Sequence, residues 1–296
     1  MADKDFKTLD EQLSILKSRG LQIPDEIAAK DFLLRNNYYR ISGYSLTLRD
    51  HDVFFKSATF QNIIDIYMFD HELRHILMKY IEIIEVTIKS IYAYEFTSVH
   101  GATGYLEPSF FTRPPKHPNR YEDTLAKVEK QKVTRLPHEA YLKHFVNELH
   151  QPVPLWAYID LFTISDISFF YSISEPNIKK AVADSMGITV QGPVLLEQFM
   201  HSLTIIRNLC AHGSRLFNRL FEQKPRLSRK EQAIQRKDEN GNIDNAHLFG
   251  FILIIKRLLK AEDFAALKAE LSELKQKYPF VNLKYYGFPD DWKNVL

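Results

Sequence analysis

The stretch Pro193–Asn218, PVLLEQFMHSLTIIRNLCAHGSRLFN, contains the clearest core-forming pattern of the chain next to a group of polar residues. Its apolar side chains recur at spacings of three and four residues, which places them on one face of a helix: Leu196, Phe199, Leu203 and Ile206. Pro193 suits the first turn, where a missing N–H costs no hydrogen bond, and Gly213 suits the far end. The pattern predicts a core helix that ends near Gly213.

Three polar residues, Arg207, Asn208 and His212, fall in the last turn of this predicted helix. A guanidinium group is always charged and its fork shape suits a phosphate, while an imidazole can move a proton near neutral pH. We therefore predict a functional site here. Residues five apart on an ideal helix are rotated by about 140°, so Arg207 and His212 would not share a face. They converge only if the helix loosens at Cys210 or Ala211, or if a second chain supplies part of the site.

The composition of the 296-residue chain is that of a globular protein, with 45% hydrophobic and 13% aromatic residues. No run approaches the roughly 18–20 apolar residues that span a bilayer, and the start of the chain is too polar for a secretory signal. The single cysteine, Cys210, excludes an internal disulfide and a Cys-rich zinc site. These features predict a cytoplasmic protein. Its net charge of +2 leaves any attraction to nucleic acid to local basic patches.

Helical patterns dominate the chain, because it has only ten glycines and almost no alternation of apolar and polar residues. The longest periodic segment runs from Thr59 to about Val99 and predicts a scaffold helix of about 60 Å, bent or interrupted somewhere. Other helices are predicted at Asp10–Arg19, Asp25–Asn36, Tyr121–Lys130, Glu139–His150, Pro154–Ile173, Pro176–Met186, Asn245–Lys260 and Glu262–Lys277.

Three further segments contain irregular structure. Glycines and prolines predict an irregular insertion at about 101–138 around the short helix Tyr121–Lys130, and this insertion would serve as a lid, a substrate-facing loop or a dimer contact. The pair Asn240-Gly241 predicts a turn at Asp238–Asn242. The aromatic segment that begins at Tyr278 is predicted to fold back onto the body as a cap.

Aromatic rings alternate with arginines between Asn36 and Asp50. Rings beside basic groups can stack bases and hold phosphates, so Tyr39 and Arg40 are candidate RNA-binding residues. The alternative is that Tyr38, Tyr39 and Tyr44 simply pack this segment onto the core, as aromatic residues usually do.

The segment Arg215–Lys237, directly after the polar group, carries eight basic residues against two acidic ones. This position favours an electrostatic footprint for RNA, with Arg215, Asn218 and Arg219 as candidate contacts. The alternative is an ordinary solvated surface, which is the usual explanation for a run of charge.

The scaffold helix also contains the letters HELRH, residues 71–75, which match the H-E-x-x-H pattern of zinc proteases. His71 and His75 would lie on one face and could hold a metal with Glu72 between them. A third ligand is then needed, and Glu95 lies about 30 Å beyond His75 on a continuous helix, outside bonding range. A zinc metalloprotease is therefore a remote alternative, and a solvated polar face is the ordinary explanation.

Five stretches occur in order along the chain: LLRNNYYRISGY (Leu33–Tyr44), IYMFDHELRHIL (Ile66–Leu77), IEVTIKS (Ile84–Ser90), RNLCAHGSRLFNR (Arg207–Arg219) and GFPDDW (Gly287–Trp292). Together they resemble the Abi-like family of bacterial abortive-infection proteins, within the HEPN superfamily. The resemblance covers nearly the whole chain. It implies a single all-α domain, residues 1–296, formed by a helical bundle of HEPN type with additional N- and C-terminal helices.

The resemblance also implies a metal-independent endoribonuclease without a cofactor, in an anti-phage system of the abortive-infection or toxin-like kind. Its signature of Arg, a polar residue and His maps onto Arg207, Asn208 and His212. As a hypothesis, His212 is the base or the acid when the 2′-OH of RNA attacks the adjacent phosphate, and Arg207 stabilises the developing charge. Asn208 would orient the phosphate or the imidazole.

Partners follow from the same reasoning. Acid and base are two roles, yet each chain offers one motif histidine, so we predict a homodimer that brings two motifs together. RNA is the expected substrate, and a bound non-coding RNA, an antitoxin or a regulatory protein is left open; no membrane contact is expected. The alternative is a non-catalytic RNA- or protein-binding HEPN module, in which Arg207 and His212 only cap the end of the helix.

Overall fold

The computed structural model describes residues 5–237 and 241–296, and most of them are helical, so the predicted all-α fold is confirmed. A small antiparallel hairpin pairs β1 (Arg49–Asp50) with β2 (Val53–Phe54), Arg49 opposite Phe54. The α-helices are α1 (Leu9–Ser18), α2 (Glu26–Asn36), α3 (Tyr38–Ser42), α4 (Phe60–His100), α5 (Arg120–Arg135), α6 (Ala140–Lys143), α7 (Leu155–Tyr158), α8 (Ile164–Ile173), α9 (Pro176–Ser185), α10 (Gly192–Ala211), α11 (Arg229–Ala233), α12 (Phe249–Leu258), α13 (Ala261–Lys277) and α14 (Trp292–Val295). Short 3₁₀ helices lie at Leu46–Leu48, Gly104–Leu106, Pro108–Phe110, Ile159–Leu161 and Leu283–Tyr286, and a π-helix lies at His144–Glu148.

α4 is the scaffold helix predicted from the sequence, with 41 residues and a length of about 61 Å. It begins with a capping box, in which Thr59 Oγ1 accepts a hydrogen bond from Asn62 N and Asn62 Oδ1 accepts one from Thr59 N. It ends at Gly101, whose φ of +76° favours glycine. The helix is not interrupted, because neither Gly nor Pro occurs in it and its buried stripe packs against α7, α9, α10, α12 and α13.

α10 is the core helix predicted in the stretch Pro193–Asn218, and it packs against α4, α8, α9 and α12. Its predicted apolar stripe is confirmed, since these four residues are at most 2% exposed: Leu196, Phe199, Leu203 and Ile206. The helix begins at Gly192, where a Cβ atom would lie 2.9 Å from Ala183 Cβ. Glycine therefore lets α10 start in close contact with α9.

The prediction of one continuous helix at Pro154–Ile173 is wrong. The segment divides into α7, a 3₁₀ turn and α8. The backbone is extended at Phe162, and Thr163 starts α8 with a capping box, in which Thr163 N donates to Asp166 Oδ2 at 2.8 Å. A continuous apolar run hides this break, because both halves bury their side chains. The predicted helix Glu139–His150 likewise changes from α to π geometry, at His144.

The insertion predicted at 101–138 contains a helix where one was predicted, at Tyr121–Lys130; the observed helix α5 is longer, Arg120–Arg135, and packs against α8. The C-terminal segment folds back as a cap, as predicted, and buries three of its rings: Tyr286, Phe288 and Trp292. Of the turn predicted at 238–242, residues 238–240 lie outside the described residues. In the described part of the chain, no helix combines the length and the apolar character needed to cross a membrane.

A buried ion pair on α4 fixes the segment that follows α10. Asp70 is fully buried, Arg74 lies one turn later and is 2% exposed, and the Arg74 guanidinium donates to the Asp70 carboxylate. The carboxylate also accepts hydrogen bonds from the backbone N–H groups of Leu216 (3.2 Å) and Phe217 (2.8 Å). Burial raises the pKa of the Asp70 carboxyl, and the Arg74 guanidinium and the donated hydrogen bonds oppose that rise. The Asp70 charge thus depends on the loop after α10, and the loop depends on the charge.

Two tyrosines from distant parts of the chain complete this network. Tyr44 OH donates to Asp70 Oδ2 at 2.8 Å, and Tyr286 OH donates to Asp70 Oδ1 at 3.1 Å. Burial and the nearby carboxylate raise the pKa of both hydroxyls, so both remain protonated donors at neutral pH. Arg74 Nη1 also lies 3.4 Å from Ser214 O. The N-terminal segment, the scaffold helix, the loop after α10 and the C-terminal cap therefore meet at one carboxylate.

We expect Asp70→Asn to lower the free energy of unfolding by about 3–5 kcal/mol, because it leaves the buried Arg74 charge without its partner. Urea unfolding followed by circular dichroism measures the change. Glu82→Gln is the matched control, since Glu82 is exposed on the same helix and its effect is expected to stay within about 0.5 kcal/mol. Equal stability of Asp70→Asn and the wild type would contradict this account of the network.

Candidate active site

α10 ends in a left-handed glycine turn. Gly213 has φ +61°, and its N–H donates to Cys210 O at 3.1 Å. Ser214 N donates to Leu209 O at 2.8 Å. These two bonds form a Schellman motif, which satisfies the last carbonyl groups of the helix. The predicted role of Gly213 as the end signal is confirmed, and the chain then turns towards the Asp70 carboxylate.

The regular end of α10 keeps Arg207 and His212 on different faces of the helix. The helix continues through Ala211, and His212 N donates to Asn208 O at 3.0 Å, as in an unbroken helix. The loosening at Cys210 or Ala211 that would bring Arg207 and His212 together does not occur. Arg207 and His212 therefore remain separated by a rotation of about 140° around the helix axis.

Asn208 and His212, four residues apart, line one open cleft of about 550 Å³, and both are exposed. Within residues 5–237 and 241–296, neither His212 nor the half-buried Arg207 has a side-chain hydrogen bond or ion pair. Arg219 lines the same cleft and lies over the Phe221 ring at 5.9 Å, whereas Arg207 is not among the described lining residues. The cleft thus presents an imidazole, an amide and a cation to a ligand, together with the exposed carboxylate of Glu222.

Two arginines predicted to contact RNA tie the N-terminal segment to the loop after α10. Arg215 Nη1 donates to Gly43 O at 2.9 Å and to Phe217 O at 3.0 Å, and the Arg40 guanidinium donates to Gly213 O. A Cβ atom at Gly43 would lie 3.2 Å from Arg215 Nε, so glycine permits the close approach. Both arginines position the loop in this structure, and their contact with RNA stays a prediction.

The tyrosines between Asn36 and Asp50 divide between the two interpretations. Tyr44 is fully buried and Tyr38 is half-buried, as expected of rings that pack on the core. Tyr39, in contrast, is 86% exposed and lines a groove of about 370 Å³ together with Arg40. Core packing accounts for Tyr44, whereas the ring of Tyr39 is available to a ligand.

Asn218, also predicted to contact RNA, links the loop to the C-terminal cap. Its backbone has φ +47°, a left-handed conformation that asparagine adopts more readily than most residues. Its N–H donates to Tyr285 O at 2.9 Å. Among the predicted RNA-binding residues, Arg219 is the one that shares a cleft with Asn208 and His212.

A family model described as Abi-like protein matches residues 31–218, which is more than half of the chain. The chain belongs to the Abi-like protein family. The resemblance predicted from the sequence is confirmed at this level, and it associates the chain with abortive infection. No curated protein and no solved structure matches the chain.

The matched region of this Abi-like protein contains most of the Asp70 network. Tyr44, Asp70, Arg74 and the loop 214–217 all lie within residues 31–218, and only Tyr286 lies beyond them. Three of the stretches that carry the family resemblance, Leu33–Tyr44, Ile66–Leu77 and Arg207–Arg219, are far apart in sequence and contact one another where α10 ends.

The zinc-protease pattern does not form a metal site in this Abi-like protein. The rings of His71 and His75 lie 4.4 Å apart, but Glu72 accepts hydrogen bonds from Lys277 Nζ (2.8 Å) and Tyr278 OH (2.6 Å). Glu72 is thus occupied in fixing α13 to α4. Across the described ranges 5–237 and 241–296, no group of three or more His, Cys, Asp or Glu residues could hold a metal ion.

Sequence reasoning missed the buried pair and a second histidine. The signal for the pair is that Asp70 and Arg74 fall inside the apolar stripe of α4, where a charge is tolerated only with a partner. His201 lies eleven residues before His212 on α10, about three helical turns, and lines the same cleft. The eleven-residue spacing is the signal that would have found it.

The only cysteine of the chain, Cys210, lies in α10 and is expected to react slowly with alkylating reagents. Its side chain is 6% exposed, and burial raises the pKa of the thiol to about 12. Since the thiolate is the reactive form, we expect alkylation by iodoacetamide at pH 8 to be at least about 100-fold slower in the native protein than in guanidinium chloride. Mass spectrometry of timed samples measures both rates. Similar rates would show that the end of α10 opens readily.

Proposed function

We propose that this Abi-like protein is a metal-independent endoribonuclease of the HEPN superfamily, acting in abortive infection with an active site made from two motifs in a two-fold dimer. The observation that carries the proposal is the open cleft in which Asn208 and His212 lie without side-chain partners among the described residues. Arg207, equally unpaired, directly precedes Asn208 on the same turn. An imidazole and a guanidinium without partners suit a reaction at a phosphate once a second chain brings them together.

In the proposed reaction, a base removes the proton of a ribose 2′-OH and the 2′-oxygen attacks the adjacent phosphorus. The bond from phosphorus to the 5′-oxygen breaks, and an acid protonates that oxygen. The products carry a 2′,3′-cyclic phosphate and a 5′-hydroxyl group. His212 is the base or the acid, Arg207 stabilises the charge on the phosphorane oxygens, and Asn208 orients the phosphate or the imidazole. Guanidinium and imidazole supply charge and proton transfer, so the reaction needs no metal ion.

Two features support the dimer. The reaction needs an acid and a base, and each chain has one motif histidine. The regular end of α10 also keeps Arg207 and His212 of one chain on different faces. A two-fold axis near the end of α10 supplies a second imidazole and lets Arg207 meet the partner's His212. Leu220, which lines the cleft and is 70% exposed, provides an apolar side chain for such a contact.

A second candidate function is RNA binding without catalysis. It is favoured by the groove beside the motif, where the exposed ring of Tyr39 adjoins Arg40 and Arg215. Such an arrangement stacks a base and neutralises a phosphate whether or not the RNA is cut. The two candidates differ in one outcome, because only the ribonuclease changes the RNA.

We expect the purified protein to cut total RNA in the presence of EDTA, leaving 2′,3′-cyclic phosphate ends. His212→Ala is expected to lose at least about 100-fold in rate, because it removes the general acid or base, while RNA binding is retained. Gel electrophoresis and end-group analysis by mass spectrometry measure the products. His51→Ala is the matched control, since its side chain is 96% exposed.

Two results would count against the ribonuclease. Cutting by His212→Ala at the wild-type rate would exclude the proposed role of the imidazole. Cutting that EDTA abolishes would exclude the metal-independent mechanism. Binding of RNA by the wild type without any change in the RNA would favour the second candidate function.

A further inference from the structure

The cleft at His212 is adjoined by a second cleft along the exposed face of α10. The first cleft has a volume of about 550 Å³ and contains His212; the second has about 460 Å³ and contains Lys224 and Arg226. His201 and Gln223 line both clefts, and the contact between their side chains marks the boundary. We call the two adjoining clefts together the α10 groove.

The α10 groove is long enough for several nucleotides. His201 and His212 are eleven residues apart, which places them about 16 Å apart along the helix and within about 20° of the same face. Gln198, in the second cleft, extends this distance to about 21 Å from His212. At about 3.4 Å per nucleotide along a stacked strand, the groove spans roughly six nucleotides.

The far end of the groove is cationic. Lys224 and Arg226 are exposed, and neither forms an ion pair with any described residue. Glu197, the carboxylate in this cleft, is neutralised by Lys179 Nζ at 2.7 Å. The cations are therefore available to an anion, and a phosphodiester strand is the anion that repeats along a groove of this length.

Two contacts hold the cationic wall against the helix. His201 Nε2 lies within hydrogen-bond distance of Gln223 Oε1, so the imidazole N–H donates to the amide oxygen. Gln223 directly precedes Lys224 in the chain, and the contact positions that segment beside α10. Arg226 Nη2 also donates to Gln191 Oε1 at 3.4 Å, at the start of α10, so the segment is held against the helix at two points.

We propose that the α10 groove binds the single-stranded RNA that flanks the scissile phosphate, with Lys224 and Arg226 contacting phosphates several nucleotides away from it. The inference rests on the proposed ribonuclease function and adds the path of the substrate. The two clefts follow one another along one face of α10, a path that suits one extended strand. Because the distant contacts are with phosphates, they strengthen binding without selecting a sequence.

The first test measures binding of a fluorescent, mixed-sequence RNA octamer by fluorescence anisotropy, in the cleavage-deficient His212→Ala background. We expect Lys224→Ala/Arg226→Ala to raise Kd by about 10-fold or more and to reduce the slope of log Kd against log salt by about 1.4, for two lost phosphate contacts. Arg229→Ala/Lys230→Ala is the matched control: it removes the same charge from exposed residues that are not among those lining the groove. Its Kd is expected to change less than about twofold.

The second test uses the active protein on the same octamer. Lys224→Ala/Arg226→Ala is expected to raise KM by about 10-fold with kcat within about twofold, because the lost contacts are remote from the reacting atoms. Equal Kd values for the two double variants, or no binding of the octamer at all, would overturn the groove. If the wild type binds the octamer through Lys224 and Arg226 but cuts no RNA, the proposed RNA-binding role of the groove is kept and the proposed ribonuclease activity is rejected. Cutting that is indifferent to Lys224 and Arg226 would reject the groove alone.

Discussion

The buried pair of Asp70 and Arg74 is the interaction on which the rest of the structure depends. A carboxylate without water is costly unless donors surround it, and here the donors come from α4, from the N-terminal segment, from the loop after α10 and from the C-terminal cap. Satisfying one charge therefore requires that four distant parts of the chain adopt one arrangement. The loop after α10 is held at its backbone N–H groups, which fixes where the motif helix ends.

This network also divides the basic residues near the motif into two groups. Arg74, Arg40 and Arg215 are bonded inside the protein and position backbone segments. Arg207, Arg219, Lys224 and Arg226 form no ion pair with a described residue, and these are the cations that we propose contact RNA. The proposed chemistry uses the second group, and the first group holds it in place. The sequence predicts Arg40 and Arg215 as RNA contacts, and the structure shows that both also position the loop after α10.

The sequence predicts α4 and α10 well, because each has an apolar stripe of helical period that the core then buries. It fails at Thr163, where a polar cap splits an apolar run that reads as one helix. The candidate site is predictable as a set of residue types, since Arg207, Asn208 and His212 follow from the pattern alone. Its surroundings are not, because Asp70 meets Leu216 and Phe217 across about 146 residues of chain and no local pattern encodes such a contact.

The central claim is that two chains build one active site. Mixing active chains with inactive ones in the same dimers tests this claim most directly. The wild type is co-expressed in equal amount with Arg207→Ala/His212→Ala, and RNA cleavage per total protein is measured. A composite site inactivates every mixed dimer, so activity falls to about one quarter of the wild-type value. About one half would mean that each chain carries a complete site, and would contradict the account.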